Sequence, residues 1–513
     1  MKRFLISIFV FIFLFLTSCV KKTDYKTIST TKQTEDTTSI IDTYETTKDK
    51  QEVEFEEFTY YDISSKYDYY WKYANSIGKM NALIVPIKIE GYTEYATNDV
   101  LNDINNAFFG NEEDVLWESV SSYYKKSSYG KLEITGTVLD YPDRVFTLDE
   151  LSTEEEDVVV LSSTKEFFIE QNVDTKDYDL DNDGYIDCVY YIYIAPVSDN
   201  SNDLPDYFWA YTNYYDDYEA DYDFPLVNNY VFSSFAFMYD DEGLALTKNE
   251  EELIDSHTFI HETGHVLGLD DYYNADSYED YCEGYDGYPV GCSTMMDDNI
   301  SDLDPFSKHA LGWIDKVYYE LPKDNESITY TLKRLNEFSE TIIIGKNYVG
   351  NAFSEYFIME YYSPTLINEF DANHSIDGYN YGLRYQGIKL YYVDARLGAY
   401  LNEELKVLKN TKEINDSYTL DITARSNTPS YSLFYEIVSN DNKIIHEKLI
   451  TIVSKDNYDF VKHYHTVDKD TIFNDGDSYD LSKFKTHSGL VYDYIISFSN
   501  ETDDSIDVTI TKK

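Results

Sequence analysis

The residues with the clearest chemical potential run from His261 through Glu262, Thr263, Gly264, His265, Val266, Leu267, Gly268, Leu269 and Asp270 to Asp271, a stretch of the form H-E-x-x-H-x-x-G-x-x-D. On a helix, His261 and His265 fall on one face, close enough to share a metal ion. Glu262 points partly around that helix. It can stand beside the ion without binding it and take a proton from water held there. Gly268 can adopt a positive φ and end the helix sharply. The chain then turns back beneath the metal, where Asp271 can supply a third ligand. Two nitrogens and one carboxylate oxygen leave a tetrahedral zinc with one open position, as a catalytic site needs.

A bare HExxH occurs by chance on many polar helix faces, so its surroundings decide. The chain has nine His, and three of them stand at 257, 261 and 265. Ile260, Val266, Leu267 and Leu269 supply the apolar positions of a buried helix. Asp255 and Ser256 are candidate N-caps. His257 reads as a helix-start residue, with a supporting contact to a ligand as the alternative.

This stretch resembles the zinc helix of the metzincin clan. With Asp in place of the third His, it resembles the immune inhibitor A family of secreted bacterial metalloproteases. Such proteins carry a turn with a Met beneath the metal, and Cys292-Ser293-Thr294-Met295-Met296-Asp297 resembles it, with Met296 favoured over Met295 as the floor. The segments 304–314, with its S-K-x-x-L-G-W pattern, and 119–132 resemble further parts of the family. The resemblance spans about 80–395. It implies an α+β, metzincin-like catalytic domain, a mixed β-sheet plus an active-site helix, with zinc as cofactor, Glu262 as general base and Tyr273, rather than Tyr272, as an oxyanion donor.

The elements around the motif follow from composition. The chain has 513 residues, enough for two or three domains, and its 42% hydrophobic content suffices for globular cores. A net charge of −55 would repel nucleic acid and anionic membrane surfaces. The 54 Tyr suit packing in β-structure, and secondarily a binding surface. Residues 1–19, with Lys2 and Arg3 before an apolar run and Cys19 after it, resemble a bacterial lipoprotein signal, with Cys19 as the lipidated residue. Residues 20–55, rich in Thr and charge, read as a disordered stalk. Residues 56–79 read as a pro-segment or a lead-in. Cys188 lies in an apolar run. Cys282 and Cys292 flank a loop where a disulfide and two thiols are both open readings.

A second motif is acidic. Asp179, Asp181, Asp183 and Asp187 alternate before and after Gly184, as in a loop that turns carboxylates toward a hard cation such as calcium. Tyr190 stands where an EF-hand would place its bidentate Glu, so this is not that motif. The competing reading is an Asx-rich turn into a strand.

Strands are expected at 82–89, 130–138 and 188–195, a helix at 115–126, and loops with an acidic insert over 197–256. The catalytic domain is assigned to 80–320. Beyond it, short alternating runs at 327–332, 341–344, 356–361, 387–393, 431–437, 448–453 and 491–498 predict a C-terminal all-β, sandwich-like region of one or two modules over 321–513. The expected function is that of a zinc metalloendopeptidase acting on extracellular proteins or peptides. It would be exported, monomeric and held on the outer face of a bacterial cell membrane by its lipid alone. A non-catalytic surface adhesin is the rival class, although it has no use for Glu262. A zinc hydrolase of glycan or peptidoglycan bonds is a third.

Overall fold

Strand β1, Gly78–Ile89, is continuously apolar from Ala82 to Ile87 because both of its faces are covered there. A computed structural model of the chain describes residues 58–513, apart from 68–70, 154–155, 198–207, 240–252, 276–287, 298, 374–381, 402–403, 416, 422–424, 433–434, 439–442 and 456–465. These residues belong to one compact unit, Glu56–Lys513. The expected signal segment, Cys19 and the stalk lie outside them. No helix among the described residues is long and apolar enough to cross a membrane.

β1 is joined by β2 (Leu132–Val138), β3 (Cys188–Ile194), β4 (Tyr211–Tyr214) and β5 (Asn229–Ser234) in the order β2-β1-β3-β5-β4. The first four strands of that order run parallel, and β4 closes the edge antiparallel to β5. Because side chains alternate across a strand, each strand feeds two cores. Ala82, Ile84, Tyr190, Ile192 and Val231 point to one, and Leu83, Val85, Val189, Tyr191 and Phe232 to the other. The first core also contains α1 (Tyr60–Lys66), α2 (Asn98–Phe109), α3 (Val120–Ser127) and α4 (His257–Val266).

Two local expectations need correction. The helix expected over 115–126 begins only at Val120, because Ser119 and Ser122 form a reciprocal capping box there. Val115 and Leu116 instead bridge to Ile254. The described part of 197–256 also contains β4 and β5 of this sheet and a short strand, Leu226–Val227, paired with Tyr185–Ile186. β5 reads as partly polar, yet all six of its residues are buried, since its place inside the sheet rather than its own pattern covers both faces.

Most of the described C-terminal strands make two stacked sheets, beside a three-stranded sheet over 398–421 and a two-stranded one over 435–446. One of the stacked pair has five strands and includes Glu340–Ile344, Glu355–Tyr362, Gly387–Asp394 and Ile450–Ile452; the other has four, including Ser327–Lys333, Tyr494–Ser499 and Ser505–Lys512. Leu332, Ile496 and Val508 of the second meet Phe357, Leu390 and Tyr392 of the first in a shared core. The opposite face of the five-stranded sheet, with Ile343, Tyr356, Ile358 and Tyr391, belongs to the core that carries α4. The molecule is thus mixed α/β with a β-rich C-terminal part, and the five-stranded sheet is covered on both sides.

Candidate metal centre

Helix α4 starts at His257, whose N–H is capped at 2.9 Å by the Asp255 carboxylate; Ser256 occupies the cap position without a side-chain bond. The helix ends as its glycine demands. Gly268 has φ +101°, Gly268 N–H donates to His265 O at 2.9 Å, and Leu269 N–H donates to Gly264 O at 3.0 Å. That pair of bonds is the Schellman arrangement. A side chain at 268 would meet Tyr60 Cβ at 2.6 Å, so α1 packs directly against the turn. Ala74 N–H donates to Val266 O at 3.0 Å, and Trp313 Nε1–H donates to Ser76 O at 2.8 Å. Described residues of the 56–79 segment, expected as a pro-segment or a lead-in, thus pack behind the motif.

The turn brings the three expected donors together. His261 Nε2 lies 3.0 Å and His265 Nε2 3.3 Å from Asp271 Oδ1, and the two imidazoles stand nearly perpendicular with centroids 5.0 Å apart. The other ring nitrogens are held by the backbone: His261 Nδ1 by Met295 O at 2.9 Å and His265 Nδ1 by Leu269 O at 2.8 Å. A carbonyl only accepts, so each Nδ1 carries a proton, and each Nε2 is the ring atom turned toward Asp271.

The floor is a methionine. A Cβ on Gly264 would sit 2.3 Å from Met296 Sδ and 2.9 Å from its Cε, so the Met296 thioether fills the hollow that this glycine leaves in α4. Met295, also buried, contributes its carbonyl to His261 instead. Around them the two further segments singled out in the sequence meet. Tyr124 donates to Ile260 O at 2.8 Å, and the buried Lys308 ammonium donates to Ser127 O at 2.7 Å and Asp302 Oδ2 at 2.8 Å.

Glu262 is buried, and its carboxylate oxygen Oε2 lies 2.8 Å from the Thr212 hydroxyl of edge strand β4. Burial raises its proton affinity, against the pull of the nearby imidazoles and Thr212. For His265, burial opposes the charged form, but the Asp271 carboxylate outweighs it and lifts the imidazolium to about 10. Burial likewise works against the Asp271 anion, yet His265 and His261 hold it below the usual carboxylate range. The Tyr273 ring stacks over His261 at 6.2 Å, and its hydroxyl hydrogen-bonds Asp271. Tyr272 turns the other way, into the core, with its hydroxyl 2.8 Å from Ser307 Oγ.

No family model matches this chain, and no curated protein does.

The donor set itself fits a borderline-soft divalent cation. It has two imidazole Nε2 atoms, which release any proton they carry when a metal binds, and one carboxylate; both Nδ1 atoms are fixed, and the site is partly open to solvent.

The acidic loop is a different kind of cluster. Carboxylate oxygens of Asp179, Asp181 and Asp187 lie within 4.8 Å of one another. Asp183 is not in that group; its Oδ1 accepts the Tyr185 N–H at 2.9 Å. Much of the loop's acceptor capacity goes to its own backbone: Asp179 accepts from Asp183 and Gly184 N–H, and Asp187 from Leu180 and Asn81 N–H. Burial lifts the carboxyls of Asp183 to about 7 and Asp187 to about 8, with Asp181 adding repulsion in both cases.

Cys188 is buried in β3, and Cys282 lies outside the described residues. Two contributors escaped sequence reasoning: Thr212 and Gly264. Only Gly264 carried a local signal, since an interior helix glycine costs about 1 kcal/mol and asks for a packing reason.

Proposed function

We propose that this chain is a zinc metalloendopeptidase of metzincin-like architecture. It would be exported, lipid-anchored through Cys19 to the outer face of a bacterial cell membrane, and active on extracellular proteins or peptides. The observation that carries this reading is the convergence of His261 Nε2, His265 Nε2 and Asp271 Oδ1, with both Nδ1 atoms tied to carbonyls and a buried glutamate one residue from the first ligand. Zinc held by these three residues would polarise a scissile carbonyl and bring the pKa of water down to about 7. Glu262, oriented by Thr212, takes the proton of the attacking water and delivers it to the leaving amine. Its burial favours the protonated form and so suits the relay. Tyr273 is the candidate donor to charge developing on the carbonyl oxygen. An extended peptide can pair with β4, the edge strand beside Glu262. The same reading gives Asp179, Asp181 and Asp187 a structural calcium ion.

The test compares the full-length chain with Glu262→Ala for zinc content and for cleavage of unfolded casein. Both should hold about one zinc. The variant should lose about 10²–10⁴ in rate, the share of a general base. Zinc in both proteins with cleavage by neither would replace this reading with that of a surface-binding protein.

A further inference from the structure

Of the three donors, Asp271 alone lies beyond helix α4, so something other than the helix must set its position. Its turn is held from two sides. On one, Tyr272 N–H donates to Met296 O at 2.6 Å. On the other stand Ser426, Asn427 and Thr428, three consecutive and fully buried residues from the β-rich C-terminal part. The Ser426 hydroxyl hydrogen-bonds the Asp270 carboxylate. Thr428 Oγ1 accepts the Ala275 N–H at 3.0 Å and reaches Tyr273 O at 3.4 Å.

Asn427 is the centre of this clasp. Its Nδ2 donates to Tyr272 O at 2.9 Å and to Ile450 O at 2.9 Å, and its Oδ1 accepts the Ile450 N–H at 3.2 Å. Ile450 begins an edge strand of the five-stranded sheet, paired to Gly387–Asp394. One planar amide thus joins the ligand turn to a sheet, and it does so at the residue between Asp271 and Tyr273. The amide has few rotatable bonds, and each of these contacts is buried, so it transmits position without slack.

We infer that Asn427 is a positioning residue for the metal centre, holding the 270–275 turn so that Asp271 meets His261 and His265 and Tyr273 lies over His261. The inference rests on the metal-centre reading proposed above. It extends the machinery of the site into a part of the chain more than a hundred residues away, where the sequence shows no motif. Residues that orient metal ligands without touching the ion typically contribute 10–100-fold to affinity or activity.

The test measures the zinc dissociation constant of the full-length chain by competition with a chromophoric chelator, together with the melting temperature of the metal-free form. Asn427→Leu keeps the volume and removes all three bonds. Thr428→Val removes the neighbouring hydroxyl and is the milder change, retained in case Asn427→Leu does not fold. Asn427→Leu should bind zinc about 10–100-fold more weakly. Thr428→Val should weaken binding in the same direction by less. A merely structural role would lower the melting temperature and leave the zinc constant of the folded protein unmoved in both variants, and that result overturns the inference. A wild-type chain that takes up no zinc would overturn the metal-centre reading itself. The two failures are therefore distinguishable.

Discussion

The two acidic turns of this molecule, 261–271 and 179–187, solve opposite problems. In the first, the donor atoms face one another while their remaining valences are held by distant backbone, from Met295 for His261 and by the helix end for His265. In the second, the carboxylates accept hydrogen bonds largely from N–H groups of their own loop. A turn whose carboxylates are already satisfied can hold its shape without an ion. Two imidazoles and a carboxylate converging on one point suit a cation that takes the place of the protons between them. The difference predicts strong, function-defining metal dependence at the first turn and a modest stabilising effect at the second.

The contrast is most sharply tested at the ligand itself. Asp271→Ala should reduce zinc from about one per chain to a small fraction and abolish cleavage. Asp181→Ala should leave zinc and cleavage in place. Zinc retained by Asp271→Ala would break the comparison.

Packing beneath the first turn comes next. Gly264→Ala gains about 1 kcal/mol of helix propensity. Its methyl would stand 2.3 Å from Met296 Sδ, and such overpacking costs about 1–3 kcal/mol. A net loss in denaturant unfolding is expected, with weaker zinc binding as the ligands shift. Unchanged stability would mean that Met296 moves aside freely.

The smallest effect belongs to the second turn. Burial holds Asp183 near 7 and Asp187 near 8, above the ~3.9 of an unfolded Asp. Between those values the folded chain binds more protons than the unfolded one. The contribution of these groups to stability is therefore full at low pH and is lost as pH rises through 7 to 8. Calcium must displace these protons, so its addition should raise the melting temperature by more at pH 8 than at pH 6, and Asp181→Ala should remove the rise. A shift independent of pH, or none at all, leaves the loop as a plain Asx turn.

Much of the first turn was legible because its parts are close in sequence. Helical period puts His261 and His265 on one face, Gly268 is needed for φ +101°, and Asp271 follows within one reversal. The strands were legible where apolar runs were long, as in β1 and β3. They were lost in 197–256, where β4 and β5 are short and partly polar and owe their burial to neighbours. The floor residue was narrowed to Met295 or Met296 by sequence, while the contact with Gly264 distinguishes their roles.

What the sequence determined by itself is local: the identity, order and spacing of the donors, the glycine that turns the chain, and the alternating carboxylates of the second loop. What the tertiary structure decided is everything that depends on residues far apart in the chain. Thr212 reaches Glu262 across 50 positions, and Asn427 reaches Tyr272 across 155. Neither residue belongs to a periodic pattern, because a single hydrogen bond between distant segments leaves no spacing to read. Only the packing of two sheets against one helix brings those segments within bonding distance.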